Sequence, residues 1–341
     1  MNGVSTIASY GAQIDESAKA FLARNPGDLY GMLQYFMGYA DTQFVATPTV
    51  AGKRIRPGLA LYIAEAYGDL EIAKSAALSI ELFHNFSLIH DDIEDHDELR
   101  RGRETVWKVW GINKALNAGD AQLLLSLLAL NNTQESIDTA PASSTVMQFL
   151  LTQYLKVIEG QHQDFSLAEL PLTHAHVTTS AYLHMIGNKS AELICAATAV
   201  GGLLAGAPSE DIEKLRVFGF ELGLAYQLHD DYQSIWGSKA ETGKTPMGDV
   251  VERKKTLPII FTRDVLAGRD AVEFTKMFEL HSGAGPEAIR LVLEKAGARE
   301  YLLGTVRVHA EACLESLESL SIESTRKTIL SEFVRELIPA K

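Results

Sequence analysis

Apolar residues recur at intervals of three and four along nearly the whole chain, and the two longest such stretches, 69–97 and 215–236, both end in clustered carboxylates. That period puts residues i, i+3 and i+4 on one face of a helix, and it is incompatible with the two-residue alternation of half-buried strands. The chain is therefore read as all-α, with helices expected over 16–24, 28–40, 57–67, 71–98, 112–130, 141–166, 174–205, 209–237, 256–267, 270–281, 284–296, 298–320 and 324–338. Pro57 and Pro208 stand near expected helix starts, and Gly68, Gly111 and Gly206 near ends or turns. The two long runs are apolar around much of their circumference before the carboxylates begin, which suits helices at the centre of a bundle. No stretch is rich enough in Gly, Pro or Ser to separate domains, so residues 1–341 are expected to form a single domain. The polar segment 237–255, with Gly243, Pro246 and Gly248, is the expected mobile loop.

With 341 residues, 46% of them apolar, the chain can bury a large core. A net charge of -13 excludes a nucleic-acid binder, because no basic face is available for a phosphate backbone. Its two cysteines, Cys195 and Cys313, lie in apolar helical contexts and imply no disulfide framework. The first twenty residues lack the basic leader and apolar core of a signal peptide, and the strongest apolar run, 121–130, is too short to span a bilayer. A cytoplasmic protein is expected.

The carboxylate clusters are His90-Asp91-Asp92-Ile93-Glu94-Asp95 and His229-Asp230-Asp231-Tyr232-Gln233-Ser234. Asp91 and Asp95 share a helix face, with Asp92 beside them. Carboxylates so close repel one another unless a cation sits among them, and oxygen-only donors suit a hard ion such as Mg2+. One such cluster is most often a solvated helix face; two, each following an apolar run, point to the rim of a pocket. Cations able to grip phosphate stand at Lys53 and Arg56, at Arg100 and Arg101, at Lys189, and at Lys244 and Lys254. Each alone is an ordinary surface residue. Acidic and basic groups together describe a site for a diphosphate.

From Gly52 to Pro258 the chain resembles the trans-type isoprenyl diphosphate synthases. The ordered blocks are Gly-Lys-Arg-Ile-Arg-Pro at 52–57, Glu81-Leu82-Phe83-His84, Ser87 through Asp95, Arg100-Arg101-Gly102, Gly119-Asp120, Gly160-Gln161 with Asp164, Lys189-Ser190, Tyr226-Gln227 before Asp230-Asp231, and Lys244 through Asp249 to Pro258. The resemblance implies a bundle of long helices around a deep central cavity, a homodimer, and condensation of isopentenyl diphosphate with an allylic diphosphate. It implies Mg2+, three ions per active site, with Mn2+ as an alternative, held by Asp91, Asp95 and Asp230, with Asp92 and Asp231 supporting. By the same resemblance Arg100, Lys189, Lys244 and Lys254 complete the allylic diphosphate site, and Lys53, Arg56, His84 and Arg101 hold isopentenyl diphosphate. Gln161, Asp164 and Gln227 become secondary groups that orient metal-bound water or the reacting ends, Ser190 and Gln227 are also expected to bind substrate, and His90 and His229 are packing residues and not bases.

Ser234 stands where the family pattern closes the second cluster with aspartate, Glu104 where proline is usual, and Ser190 where threonine is usual. Phe86 with the small Ser87, and Phe83 a turn below, resemble a pocket floor that admits about twenty carbons on a helix of 1.5 Å rise. Geranylgeranyl diphosphate is the expected product, with farnesyl diphosphate the alternative. A class I terpene cyclase on this scaffold is the rival enzyme, a non-catalytic partner of another synthase the rival from a different class, and a purely structural helical protein the bland reading. The cyclase would have no use for Lys53, Arg56, His84 and Arg101. Beyond Thr262 the chain shows amphipathic helices without recognisable chemistry.

Overall fold

The computed structural model describes residues 2–49, 52–131, 140–237, 247–279 and 285–338. Its residues fall into two compact units, one comprising Met1–Tyr154, Ala196–Arg216 and Ser319–Phe333, the other Leu155–Cys195, Val217–Glu318 and Val334–Lys341. The described secondary structure is helical apart from a hairpin of two-residue strands, Leu99–Arg100 and Arg103–Glu104, and an isolated bridge between Ala40 and Ala46. No helix among the described residues is long and apolar enough to cross a membrane.

In the first unit the helix Lys74–Glu94 packs most extensively against Ile112–Asn131, and the helix Ile55–Tyr67 against Gly3–Ala12. Small residues let these backbones approach closely. A Cβ on Gly58 would come within 2.2 Å of the Ile7 carbonyl oxygen, and one on Gly201 within 2.4 Å of that of Ala60. Along Lys74–Glu94, Ala76, Ala77, Ile80, Leu82 and Phe83 are fully buried, so this helix runs through the core before its carboxylate end emerges.

In the second unit the helix Thr179–Ile186 passes into a single π turn, Gly187–Ala191, and resumes as Glu192–Leu204. Two glycines receive that turn: a Cβ on Gly160 would lie 2.2 Å from the Lys189 amide nitrogen, and one on Gly223 2.4 Å from the Ala191 Cα. A π turn commonly marks a functional segment because it re-aims side chains within a helix. Here it carries Lys189 and Ser190.

Several expected boundaries change. The helix Gly3–Ala12 had not been expected, and its glycines make it a poor helix by propensity; tertiary packing, with Gly3 against the Phe333 backbone, overrides that. The 28–40 helix stops at Met37, where Gly38 adopts a left-handed φ of 84°. The 71–98 helix begins as a 3-10 turn and ends at Glu94, and a short helix, Val106–Trp110, follows the hairpin. The 174–205 helix starts at Thr179, capped by the Thr178 hydroxyl. Of the expected loop 237–255, residues 238–246 lie outside the described residues, and Gly248–Val251 forms a helical turn.

Candidate active site

The first carboxylate cluster sits at a helix C-terminus. Asp95 is the C-cap of Lys74–Glu94, and the helix closes on a left-handed His96 at φ 56°, with the Asp97 amide bonded to the Asp92 carbonyl at 3.0 Å and the His96 amide to that of Ile93 at 3.4 Å. Negative side chains beside the negative end of a helix dipole cost about 0.3–1 kcal/mol each. A bound cation reverses that sign.

The three aspartates are not equivalent. Asp91 and Asp95 are half-buried, whereas Asp92 is only 1% exposed and takes a charge-assisted hydrogen bond from Arg100 Nε. Arg100 Nη2 also lies 3.7 Å from Asp91 and 3.9 Å from Asp97. Burial pushes the Asp92 carboxyl up to about 7 against the pull of Arg100. Its Oδ2 has no hydrogen-bond partner, so one buried acceptor remains for a cation or a water.

Arg100 reaches back because the hairpin turns tightly. Arg101 and Gly102 have φ of 53° and 76°, the pair of positive values that a two-residue turn requires, and Arg101 is a non-glycine residue accepting that conformation. The Arg101 guanidinium lies over Gly52, where a Cβ would come within 3.0 Å of Nη2. Seven residues before Asp91 on the same helix, His84 Nε2 is 3.1 Å from Arg56 Nη1. Arginine can only donate, so Nε2 accepts and the imidazole is neutral. Burial, with Arg56, Arg101, Arg100 and Arg54 nearby, holds the His84 pKa well below its ordinary value. Arg56 and His84 are thus in contact, and Arg101 is close enough to act on the imidazole electrostatically. Lys53 is exposed on the segment that leads into Arg56.

Below this end, Phe83 is fully buried and stacks on Tyr154 with ring centroids 3.9 Å apart and planes at 5°, and the Tyr154 hydroxyl is 2.7 Å from Ser79 Oγ. Phe86 lies between Phe83, at 5.4 Å, and His90, at 4.9 Å. The Ser87 hydroxyl is satisfied locally, donating to the His84 carbonyl at 2.8 Å. His90 packs, its Nε2 against Gly119, where a Cβ would come within 2.2 Å.

In the second unit Asp231 is 3% exposed and Asp230 half-buried. The Tyr182 hydroxyl donates to Asp231 Oδ2, and Gln227 Nε2 donates to Oδ1 at 3.1 Å. Ser190 Oγ donates to Gln227 Oε1 at 2.7 Å, which fixes the amide orientation. Burial, reinforced by Asp249, raises the Asp231 pKa well above the usual carboxylate range. Lys189 Nζ pairs with Asp164 at 2.5 Å. His229 is buried and stacks on Tyr232 at 6.1 Å.

Sequence reasoning missed two residues here. Tyr182, the main partner of Asp231, carries no motif signal beyond being an aromatic in an apolar helix. Asp249 stands in the sequence only as a member of the block from Lys244 to Pro258; burial raises its pKa, and the Asp230 charge adds to that shift. Ser234, in place of a closing aspartate, binds the segment that brings Asp249 in: its carbonyl accepts the Met247 amide at 2.8 Å and its hydroxyl the Asp249 amide at 3.4 Å. Met247 and Arg253, flanking the Gly248–Val251 turn, both have positive φ, 66° and 61°, so this segment is held under backbone strain. Lys254 pairs with Glu252 at 2.9 Å and eases the Asp249 charge. Lys244 lies outside the described residues.

Among the described residues no three His, Cys, Asp or Glu side chains converge as a metal cage. Asp92 is bonded to Arg100 and Asp231 to Tyr182. On the first cluster the half-buried Asp91 and Asp95 are oxygen donors of the kind that suit Mg2+, which takes one or two carboxylates and completes its octahedron with phosphate oxygens and water.

The profile of the polyprenyl synthetase family matches residues 42–294. A short chain isoprenyl diphosphate synthase of Methanothermobacter thermautotrophicus is 34% identical over 295 residues, covering 84% of this chain and 87% of that protein. A (2E,6E)-farnesyl diphosphate synthase of Mycobacterium tuberculosis is 39% identical over 232 residues, 68% of this chain but only 62% of that protein. A crystal structure of a geranylgeranyl pyrophosphate synthase superposes with a TM-score of 0.86 at 30% identity, covering 100% of both chains. The order of the motifs, the all-α fold and these relationships agree, and the chain belongs to the polyprenyl synthetase family.

Proposed function

We propose that the chain condenses isopentenyl diphosphate with an allylic diphosphate and releases linear geranylgeranyl diphosphate. The observation that carries this reading is the division of labour on one helix: a neutral His84 joined to Arg56 at one level, and Asp91 and Asp95 with Arg100 beside them two turns later. Two anion-binding arrangements suit two diphosphates, and a cyclase would need only one.

In this reading Lys53, Arg56 and Arg101 bind the isopentenyl diphosphate, and His84 orients Arg56 by accepting its N–H. Arg100, Lys189, Lys254 and Lys244 neutralise the allylic diphosphate, with Asp92 holding Arg100 and Asp164 holding Lys189 in place. Asp91, Asp95 and Asp230 would hold Mg2+, three ions in all, which when bound would stabilise the negative charge of the departing diphosphate. Ser190 and Gln227 set the orientation of Asp231, and Gln161 serves as a secondary polar group. The allylic carbon–diphosphate bond ionises, the isopentenyl double bond attacks the allylic cation left behind, and the proton then lost goes to the departed diphosphate. No side chain has to act as nucleophile.

Phe86 is about 7.5 Å and Phe83 about 12 Å along the helix from Asp91 at 1.5 Å per residue. With Ser87 leaving room beside it, Phe86 supports a floor set for twenty carbons. The whole chain is proposed to act as one domain in the cytoplasm, where its two buried cysteines stay reduced. A homodimer is supported by Ile112, Leu116, Leu124 and Leu128, which stand 48, 42, 60 and 53% exposed at multiples of four along one helix.

The test is to incubate the purified protein with isopentenyl diphosphate and dimethylallyl, geranyl or farnesyl diphosphate, with and without Mg2+, and identify products by mass spectrometry. Linear geranylgeranyl diphosphate formed only with Mg2+ is the expected result. A fifteen-carbon product would move the floor, and a hydrocarbon formed without isopentenyl diphosphate would overturn the reading.

A further inference from the structure

Between Lys53 and Arg56 lies a residue that neither substrate reaches in the proposed reading. Arg54 is 4% exposed and occupies the N-cap of the helix Ile55–Tyr67 in a left-handed conformation, φ 51°. Its guanidinium is bound on every side. Nη1 donates to Glu81, Nε to Asp15 Oδ1 at 3.1 Å, and Nη2 to the Tyr39 hydroxyl at 3.1 Å and the Met37 carbonyl at 3.2 Å. Each partner is itself fixed. Tyr39 donates onward to Asp15 at 2.7 Å, and Glu81 accepts from Asn85 Nδ2 at 2.7 Å. Glu81 is one turn before His84 on the helix that ends in Asp91 and Asp95. From the other side, the helix Gly3–Ala12 presses Gly11 onto the Arg54 backbone, where a Cβ would come within 2.1 Å of the carbonyl oxygen.

A buried arginine with four directed hydrogen bonds has one position, and a residue held at positive φ passes that rigidity to its neighbours in the chain. We propose that Arg54 is a positioning residue: the Arg54–Glu81 clamp, backed by Gly11, sets Lys53 and Arg56 against His84 and so fixes the isopentenyl diphosphate site before substrate arrives. This rests on the proposed role of Lys53 and Arg56. A core ion pair kept for stability alone would leave the two substrates equally affected. The clamp affects one of them.

The experiment measures KM for isopentenyl diphosphate at saturating allylic diphosphate, and the reverse, with thermal unfolding of each variant. Arg54→Met alone leaves Glu81 buried without its cation and risks misfolding, so the working variants are the double replacement Arg54→Met with Glu81→Met, which removes both charges, and Gly11→Ala, which keeps them. Each is expected to raise KM for isopentenyl diphosphate about ten-fold while moving KM for the allylic substrate less than about two-fold, since only uniform binding at one subsite is lost. Glu81→Gln, which keeps an acceptor for Arg54, is expected to show only a small part of that rise. Folded variants with both KM values unchanged, or with both raised equally, would overturn the clamp. Lys53→Ala separates the two ideas. If it raises KM for isopentenyl diphosphate and the clamp variants do not, only the clamp fails; if it changes neither KM, the assignment of the subsite fails and the clamp with it.

Discussion

The two carboxylate clusters follow one scheme with different chemistry. In each, the second aspartate of the pair is buried and turned away from its neighbours, Asp92 at 1% exposure and Asp231 at 3%. Asp92 is compensated by a cation, Arg100, whereas Asp231 is compensated by neutral donors, Tyr182 and Gln227. A buried carboxylate needs either charge or hydrogen bonds to stay buried, and the choice sets what its loss does. Charge compensation in the first unit also brings Arg100 within 4 Å of Asp91. Hydrogen-bond compensation in the second unit instead extends outward, through Gln227 to Ser190 on the π turn. In both cases the buried aspartate is tied into the frame, and the half-buried ones are those proposed to meet ligands.

The largest expected effect separates those two kinds of aspartate. Asp91→Ala and Asp230→Ala should each lower kcat by about a hundred-fold or more, the scale on which preorganised charge stabilisation is lost. Their melting temperatures should stay near wild type, because each removed carboxylate repels a buried neighbour, Asp91 acting on Asp92 and Asp230 on Asp231. Wild-type turnover in either variant would falsify the metal assignment.

A smaller effect should distinguish the two modes of compensation. Arg100→Met strands a buried carboxylate and should cost about 3 kcal/mol of stability. Tyr182→Phe removes one of two neutral donors and should cost about 1–2 kcal/mol, since Gln227 remains. Denaturant midpoints read both. Equal losses would mean that the two clusters are compensated alike and that the contrast drawn above is only one of residue type.

Much of the frame was legible in the sequence because it depends on period and order. The helices and their carboxylate ends follow from spacing along single elements, whereas the grouping of Arg56 with His84, on two different helices, follows only from the order of the family's blocks. What escaped depends on contacts between distant residues. Gly3–Ala12 forms a helix because its glycines allow close packing, which no local propensity signals. Tyr182 meets Asp231 across 49 positions, and Arg54 meets Glu81 across 27. Ser234 looked like a missing ligand when read along its own helix; its contacts with Met247 and Asp249 show that it joins a segment carrying another carboxylate. The π turn at Gly187–Ala191 was invisible because one extra residue in a helical turn leaves the apolar period almost intact.

A last effect concerns pH, and it tests whether the first unit is organised around cations as the comparison requires. His84 is surrounded by Arg56, Arg101, Arg100 and Arg54 and is held neutral, its pKa well below the ordinary 6.5. In the unfolded chain the same imidazole protonates as pH falls through about 6.5. Below that value the unfolded state therefore binds more protons than the folded one, and stability falls with falling pH by up to about 1.4 kcal/mol per unit until the folded pKa is reached. Asp92 works in the opposite direction: its pKa, raised to about 7, makes the folded state the better proton acceptor between that value and the ordinary 3.8. The two slopes partly cancel in the wild type, so the informative quantity is the difference between proteins. His84→Gln keeps an acceptor for Arg56 and removes the titration. Its stability relative to wild type should rise steadily as pH is lowered from 7 to 5, read as the gap between denaturant midpoints at each pH. A gap that stays constant over that range would mean that His84 is not held neutral by the surrounding arginines.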